Sequence, residues 1–204
     1  MSVKKFTFLL LFVLSSCLIT FKSSANVDSE IKKNDIVIGK KNSKVEIIIY
    51  SSLTCPHCAK FHNDVLPKLK KEFVDNGNVR IILRDFPLDL ASLNASKMIH
   101  CLENKFKFKL LDDIYEKQNI WTKGEDIETI NKNLKKVLDE LQIQNIDFDK
   151  CLNDETSEQR ILQGRINAQK KYKINSTPTI IINEKKYDGP NDFMSIAKKI
   201  KRLI

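Results

Sequence analysis

The stretch Thr54-Cys55-Pro56-His57-Cys58 constrains this chain more than any other. An apolar, β-branched run, Val45-Glu46-Ile47-Ile48-Ile49-Tyr50, leads into it, and a helical pattern through Phe61, Val65, Leu69 and Phe73 leads out. The order is strand, tight turn, Cys-x-x-Cys, helix, which places a dithiol at the start of a helix. The first cysteine is expected to be exposed there, where unpaired N–H groups and the positive end of the helix dipole favour a thiolate. Pro56 suits the first helical position, because its missing N–H would have had no partner. Cys58 falls one turn in, less exposed and close enough to form a disulfide with Cys55. His57 can set a positive charge or an N–H donor beside the Cys55 sulfur. A favoured thiolate is a favoured reduced form, and so a more oxidising disulfide. Cys-x-x-Cys is also half of a zinc site. No second such pair or His-x3-His follows, and the only histidines are His57, His62 and His100. A redox pair is expected, with no metal and no cofactor.

The chain of 204 residues has room for one domain, or one with an insertion. A net charge of +9 invites a nucleic-acid reading. The lysines are instead spread as pairs interleaved with acids, with no aromatic-basic platform, so solvated faces are expected. The N-terminus reads as a targeting segment: Lys4-Lys5, then a mostly apolar run from Phe6 to Phe21, then Ser23-Ser24-Ala25. That run is short of the roughly 20 residues of a spanning helix. A signal peptide over 1–25 is expected, with cleavage after Ala25. Lipidation at Cys17 in Leu14-Ser15-Ser16-Cys17 and an uncleaved anchor are the rival readings. Cleavage leaves Cys55, Cys58, Cys101 and Cys151, an even count that fits an oxidising compartment.

Residues 26–43 form a polar segment in which only Ile36–Gly39 can make a short edge strand. Val45–Tyr50 reads as a central strand, with Glu46 at its solvated end; a buried proton-relay carboxylate is the alternative. Pro67 is expected to kink or split the helix near Leu66. Val79–Leu83 is a second strand, parallel to the first. From Asp89 to about Glu158 the pattern is helical, with stripes of core spacing and Trp121 as a packing anchor. A helix through Ile161, Ile166, Ala168 and Tyr172 precedes Ser176-Thr177-Pro178-Thr179. Then come a buried strand Thr179–Asn183, a turn at Glu184-Lys185, a short strand Lys186–Gly189 and a closing helix from Pro190 to Ile204. In that helix Phe193, Ile196, Ala197, Ile200 and Leu203 face inward.

Cys55-Pro56-His57-Cys58 after a strand, a long helical insertion, and Thr177-Pro178 before a late buried strand together resemble the DsbA-type thiol-disulfide oxidoreductases of the thioredoxin superfamily. Arg84-Asp85-Phe86-Pro87-Leu88 and Asn119-Ile120-Trp121 are similar to recurrent stretches of that family. The resemblance implies an α/β thioredoxin fold, its first part over 44–88 and its second over 159–204, with an all-helical subdomain inserted at 89–158. It implies that Pro178 is cis and lies against the redox cysteines, and that Thr177 offers backbone to an extended substrate. It implies a second, structural disulfide between Cys101 and Cys151, of the alphaproteobacterial type. Some members carry a glutamate six residues before the first cysteine and another acid seven after it; here those positions are Ile49 and His62. Glu46, His62 or a water is left as the proton acceptor for Cys58.

The function implied is disulfide donation in the periplasm to unfolded, newly exported proteins. Cys55 is the attacked cysteine and Cys58 the resolving one. Pro56, His57, Thr177 and Pro178 tune the site, and a membrane quinone-coupled oxidase restores the disulfide. A monomer is expected, since residues 26–43 are too few for a dimerisation domain. A reductase or isomerase kept reduced by a membrane donor is the alternative. A redox-inert scaffold using the same groove is a third reading, disfavoured by the intact cysteine pair.

Overall fold

The computed structural model describes residues 32, 34–143 and 146–204. The expected signal peptide and Cys17 lie outside the described residues. The element order is β1 (Ile36–Ile38), β2 (Val45–Ser51), α1 (Pro56–Asp64), α2 (Leu66–Leu69), a π-turn (Lys70–Val74), β3 (Val79–Asp85), α3 (Leu90–Cys101), α4 (Asn104–Glu116), α5 (Gln118–Trp121), α6 (Ile127–Asp139), α7 (Phe148–Leu152), α8 (Glu155–Tyr172), β4 (Thr179–Ile182), β5 (Lys185–Lys186) and α9 (Phe193–Lys201).

The five strands form one sheet in the order β1-β3-β2-β4-β5. β2 is central, parallel to β3 and antiparallel to β4. Its apolar run is buried on both faces, as side-chain alternation demands of a covered sheet. Val45, Ile47 and Ile49 pack with Phe61, Leu66, Leu69, Ile196 and Ile200 under α1, α2 and α9. Ile48 and Tyr50 face the other way, onto Ala168 and Tyr172 of α8. Together with the helices of α3–α7, this is a thioredoxin-type sheet with a helical insertion.

Pro67 splits the helix as expected. α1 stops at Asp64, and α2 restarts with Pro67 in its first turn, where a missing N–H costs nothing. The insertion has its own core around Trp121, which is fully buried and donates Nε1–H to the Ile114 carbonyl at 2.8 Å. Cys101 at the end of α3 and Cys151 in α7 are joined by a disulfide across a sequence separation of 50. Leu53, Cys55, Cys58 and Ala59 belong to this same core, so the Cys-x-x-Cys turn is packed between sheet and insertion.

The structure corrects four expectations. Glu46 is not at a solvated end: it is 3% exposed and ion-paired with Arg80, its register partner on β3. The β4–β5 turn is Asn183-Glu184, both at positive φ, and β5 is only Lys185–Lys186. A two-residue turn with both φ positive matches strand twist, which fixes the Ile182↔Lys185 register and moves the strand forward. The closing helix begins at Phe193, because Asp192 caps it through Ser195 N–H at 2.9 Å. Leu203 lies beyond its end and is exposed. Among the described residues no helix is long and apolar enough to cross a membrane.

Candidate active site

Cys55 is the N-cap residue of α1, in extended conformation, with Pro56 immediately inside the helix. Its carbonyl accepts from Cys58 N–H at 3.0 Å and Ala59 N–H at 3.1 Å, which starts the helix beneath the sulfur. Both Cys55 and Cys58 are free thiols. Exposure differs from the simple expectation: Cys55 is 8% exposed and Cys58 only 1%. The first residue is barely exposed and the second almost wholly enclosed. Burial pushes the Cys58 thiol up to about 12, partly opposed by the polar Thr177 side chain and the Ser52 backbone beside it. Cys58 therefore stays protonated at neutral pH.

The turn that carries Cys55 is tied down on both sides. Ser92, in the first turn of α3, accepts from Leu53 N–H and from the Ser52 hydroxyl, both at 2.9 Å. Thr54 donates to Asp89 at 2.7 Å, while Asp89 also caps α3 through Ser92 N–H. Gln118 of α5 is buried and donates to the carbonyls of Leu53 at 2.7 Å and Cys55 at 3.1 Å. Sequence reasoning missed Asp89, Ser92 and Gln118. Asp-x-x-Ser before an apolar run is a readable cap signal; nothing local marks Gln118.

Opposite the cysteines, the Thr177-Pro178 peptide is cis. The Cys55 thiol donates to the Thr177 carbonyl at 3.4 Å. The Thr177 hydroxyl is buried with no hydrogen-bond partner. Asn191 donates to the Pro178 carbonyl at 3.1 Å and Thr179 donates to the Ser176 carbonyl at 2.7 Å, which stiffens this loop. An open groove runs past it, bordered by His57, Phe61, Val65, Thr177, Pro178 and Asn191. Pro56 and His57 are exposed, His57 on its rim. Leu88, Leu90 and Ile120 add exposed apolar surface on the elements that hold the turn.

The structure thus brings Cys55, Cys58, Pro56, His57, Thr177 and Pro178 together, and sets the Cys101–Cys151 bond apart in the insertion. Among the described residues there is no cluster of three or more His, Cys, Asp or Glu able to hold a metal ion.

The family model described as Thioredoxin matches residues 31–202. A Rickettsia bellii protein whose name makes it a candidate protein-disulfide oxidoreductase is 29% identical over 168 residues, covering 80% of this chain. The chain spans 61% of that relative's length. The disulfide bond formation protein D of Bacillus subtilis is 24% identical over 179 residues, covering 83% of this chain and 77% of that protein. The crystal structure of alpha-DsbA1 from Wolbachia pipientis superposes with a TM-score of 0.75 at 26% identity, covering 85% of this chain and 92% of the other.

Proposed function

Since the chain belongs to the thioredoxin family, with the DsbA-type helical insertion, we propose that it is an exported thiol-disulfide oxidoreductase that donates its Cys55–Cys58 disulfide to cysteines of newly exported proteins. One observation carries the reading: a barely accessible thiol at a helix start, against the Thr177 carbonyl and beside an open groove, with a second thiol sealed behind it.

In the donor reaction a substrate thiolate attacks Cys55 Sγ, the Cys55–Cys58 bond breaks, and Cys58 leaves and takes a proton. A second substrate cysteine then attacks the substrate sulfur of the mixed disulfide, which releases an oxidised substrate and the dithiol. The Thr177 backbone, next to the groove, offers hydrogen bonds that any extended segment can use, whatever its sequence. Exposed Leu88 and Ile120 suit the apolar side chains of unfolded chains. Residues 1–25 serve as the export signal and the periplasm is the compartment. A membrane quinone-coupled oxidase restores the disulfide, and Cys101–Cys151 is structural.

The deciding measurement is the equilibrium reduction potential of the Cys55–Cys58 pair in glutathione buffers, paired with oxidation of a reduced dithiol peptide. A potential around −120 mV with rapid peptide oxidation is expected of a donor. A potential near −270 mV, the range of a reductant, would overturn donation in favour of a reductase. Cys55→Ala is expected to abolish turnover, and Cys58→Ala to accumulate mixed disulfides.

A further inference from the structure

The Cys58 proton needs a destination. Closing the disulfide requires it to leave a thiol that burial keeps protonated. Ile49, six residues before Cys55, is apolar and buried. Glu46 lies at the far end of β2, paired with Arg80. One small cavity adjoins Cys58, of about 30 Å³, enough to seat an ordered water. Its polar wall includes Ser51, Cys58, His62, Asp85, His100 and Tyr115.

His62 sits on α1 one turn beyond Cys58 and is 7% exposed. Its ring packs against Tyr115 with centroids 4.6 Å apart, and its Nε2 lies 2.6 Å from Asp112 Oδ1. The Asp112 side chain is 40% exposed. The pair therefore bridges the cavity and bulk water. The other titratable or charged groups on the cavity are Arg84, Asp85, His100 and Tyr115. Arg84 is held by Asp35 and Asp85 by His100. Burial, with the nearby Cys58 charge, keeps the Tyr115 phenol well above its usual range.

Resting on the dithiol chemistry proposed above, we infer that His62, oriented by Asp112, is the proton acceptor for Cys58, reached through one water in this cavity. In the closing step the proton passes from Cys58 Sγ through the water to the imidazole. The Cys58 sulfur attacks the Cys55 sulfur of the mixed disulfide. The Cys55–adduct bond breaks, the Cys55–Cys58 bond forms, and the adduct leaves as a thiolate carrying the electron pair. Cys58 is oxidised, the adduct sulfur is reduced, and the imidazolium passes its proton past Asp112 to solvent. In donation the path runs backwards and supplies the proton that the departing Cys58 thiolate takes.

The test uses reduced full-length protein and 5,5′-dithiobis(2-nitrobenzoate). Release of the first chromophore reports attack by Cys55, and release of the second reports closure by Cys58. His62→Gln is expected to slow the second phase about a hundredfold, the lower end for a general base. It is also expected to change the pH dependence of that phase and to leave the first phase intact. Asp112→Asn, which keeps the imidazole, is expected to slow the second phase and shift its pH profile. A normal first phase with an unchanged second-phase profile in both His62→Gln and Asp112→Asn overturns this inference alone. Absence of the first phase in the wild-type protein overturns the dithiol reading itself.

Discussion

At the scale of single residues, the two cysteines look alike in sequence and differ in the fold. Because burial raises Cys58 to about 12, alkylation of Cys58 in a Cys55→Ser variant is expected to stay slow through pH 9 and accelerate only towards pH 12. The raised value has a stability consequence in the reduced protein. The unfolded thiol ionises near its ordinary ~8.5 while the folded one stays protonated. Stability is therefore full below that value and falls as pH rises towards 12. A reduced Cys58→Ala variant is expected to lack this alkaline loss in urea titrations. Glu46 shows where residue-level reading fails. A lone acid in an apolar strand looks like a strand end, because its partner, Arg80, is 34 residues away and is set opposite only by the parallel register. Removing one member of a buried pair strands the other charge, so Arg80→Ala is expected to cost about 3–5 kcal/mol in denaturant unfolding. The paired replacement Glu46→Leu with Arg80→Met is expected to restore most of it.

Elements were legible where hydrophobic period or proline chemistry decides them, as in β2, β3, the break at Pro67 and the stripes of the insertion. They were less legible where side chains close a terminus. Asp89, Asp126, Asp147, Asp154 and Asp192 each accept from the N–H three residues on, and so set the starts of α3, α6, α7, α8 and α9. These caps fix helix starts against the apolar pattern, which is why α9 begins later than its periodicity indicated. Asp89 also holds Thr54, the residue before Cys55. Replacing a cap by alanine costs about 1 kcal/mol. Asp147→Ala is expected to cost about that and leave the redox site alone. Asp89→Ala is expected to cost more, because it also removes the Thr54 hydrogen bond, and to speed alkylation of Cys55. Equal costs, with Cys55 reactivity unchanged, would show that the turn does not depend on α3.

For the molecule as a whole, the Cys101–Cys151 bond cross-links the insertion over a separation of 50 residues. Chain entropy sets its contribution at up to about 4 kcal/mol, which the Cys101→Ser, Cys151→Ser double variant tests by thermal unfolding. Acid stability has a second source. Burial would raise Asp85, but the charge and hydrogen bond of His100 more than offset this and hold it below its usual range. A depressed carboxylate stabilises the fold above its unfolded value, near pH 4, and that contribution disappears as pH falls through the folded value. An Asp85→Asn variant is expected to be less stable at pH 7 and to show a flatter acid transition.

Leu53, Cys55, Cys58 and Ala59 share one core with the insertion helices, and this makes the redox couple part of a thermodynamic cycle with folding. Any change in the insertion that stabilises the dithiol form over the disulfide form must shift the reduction potential by the same free energy, at about 30 mV for each 1.4 kcal/mol. The insertion thus acts as a tuning weight on the couple. A substitution that never touches a sulfur, such as at Trp121, can raise or lower the potential of the Cys55–Cys58 pair by the difference in how well its two forms tolerate the loss.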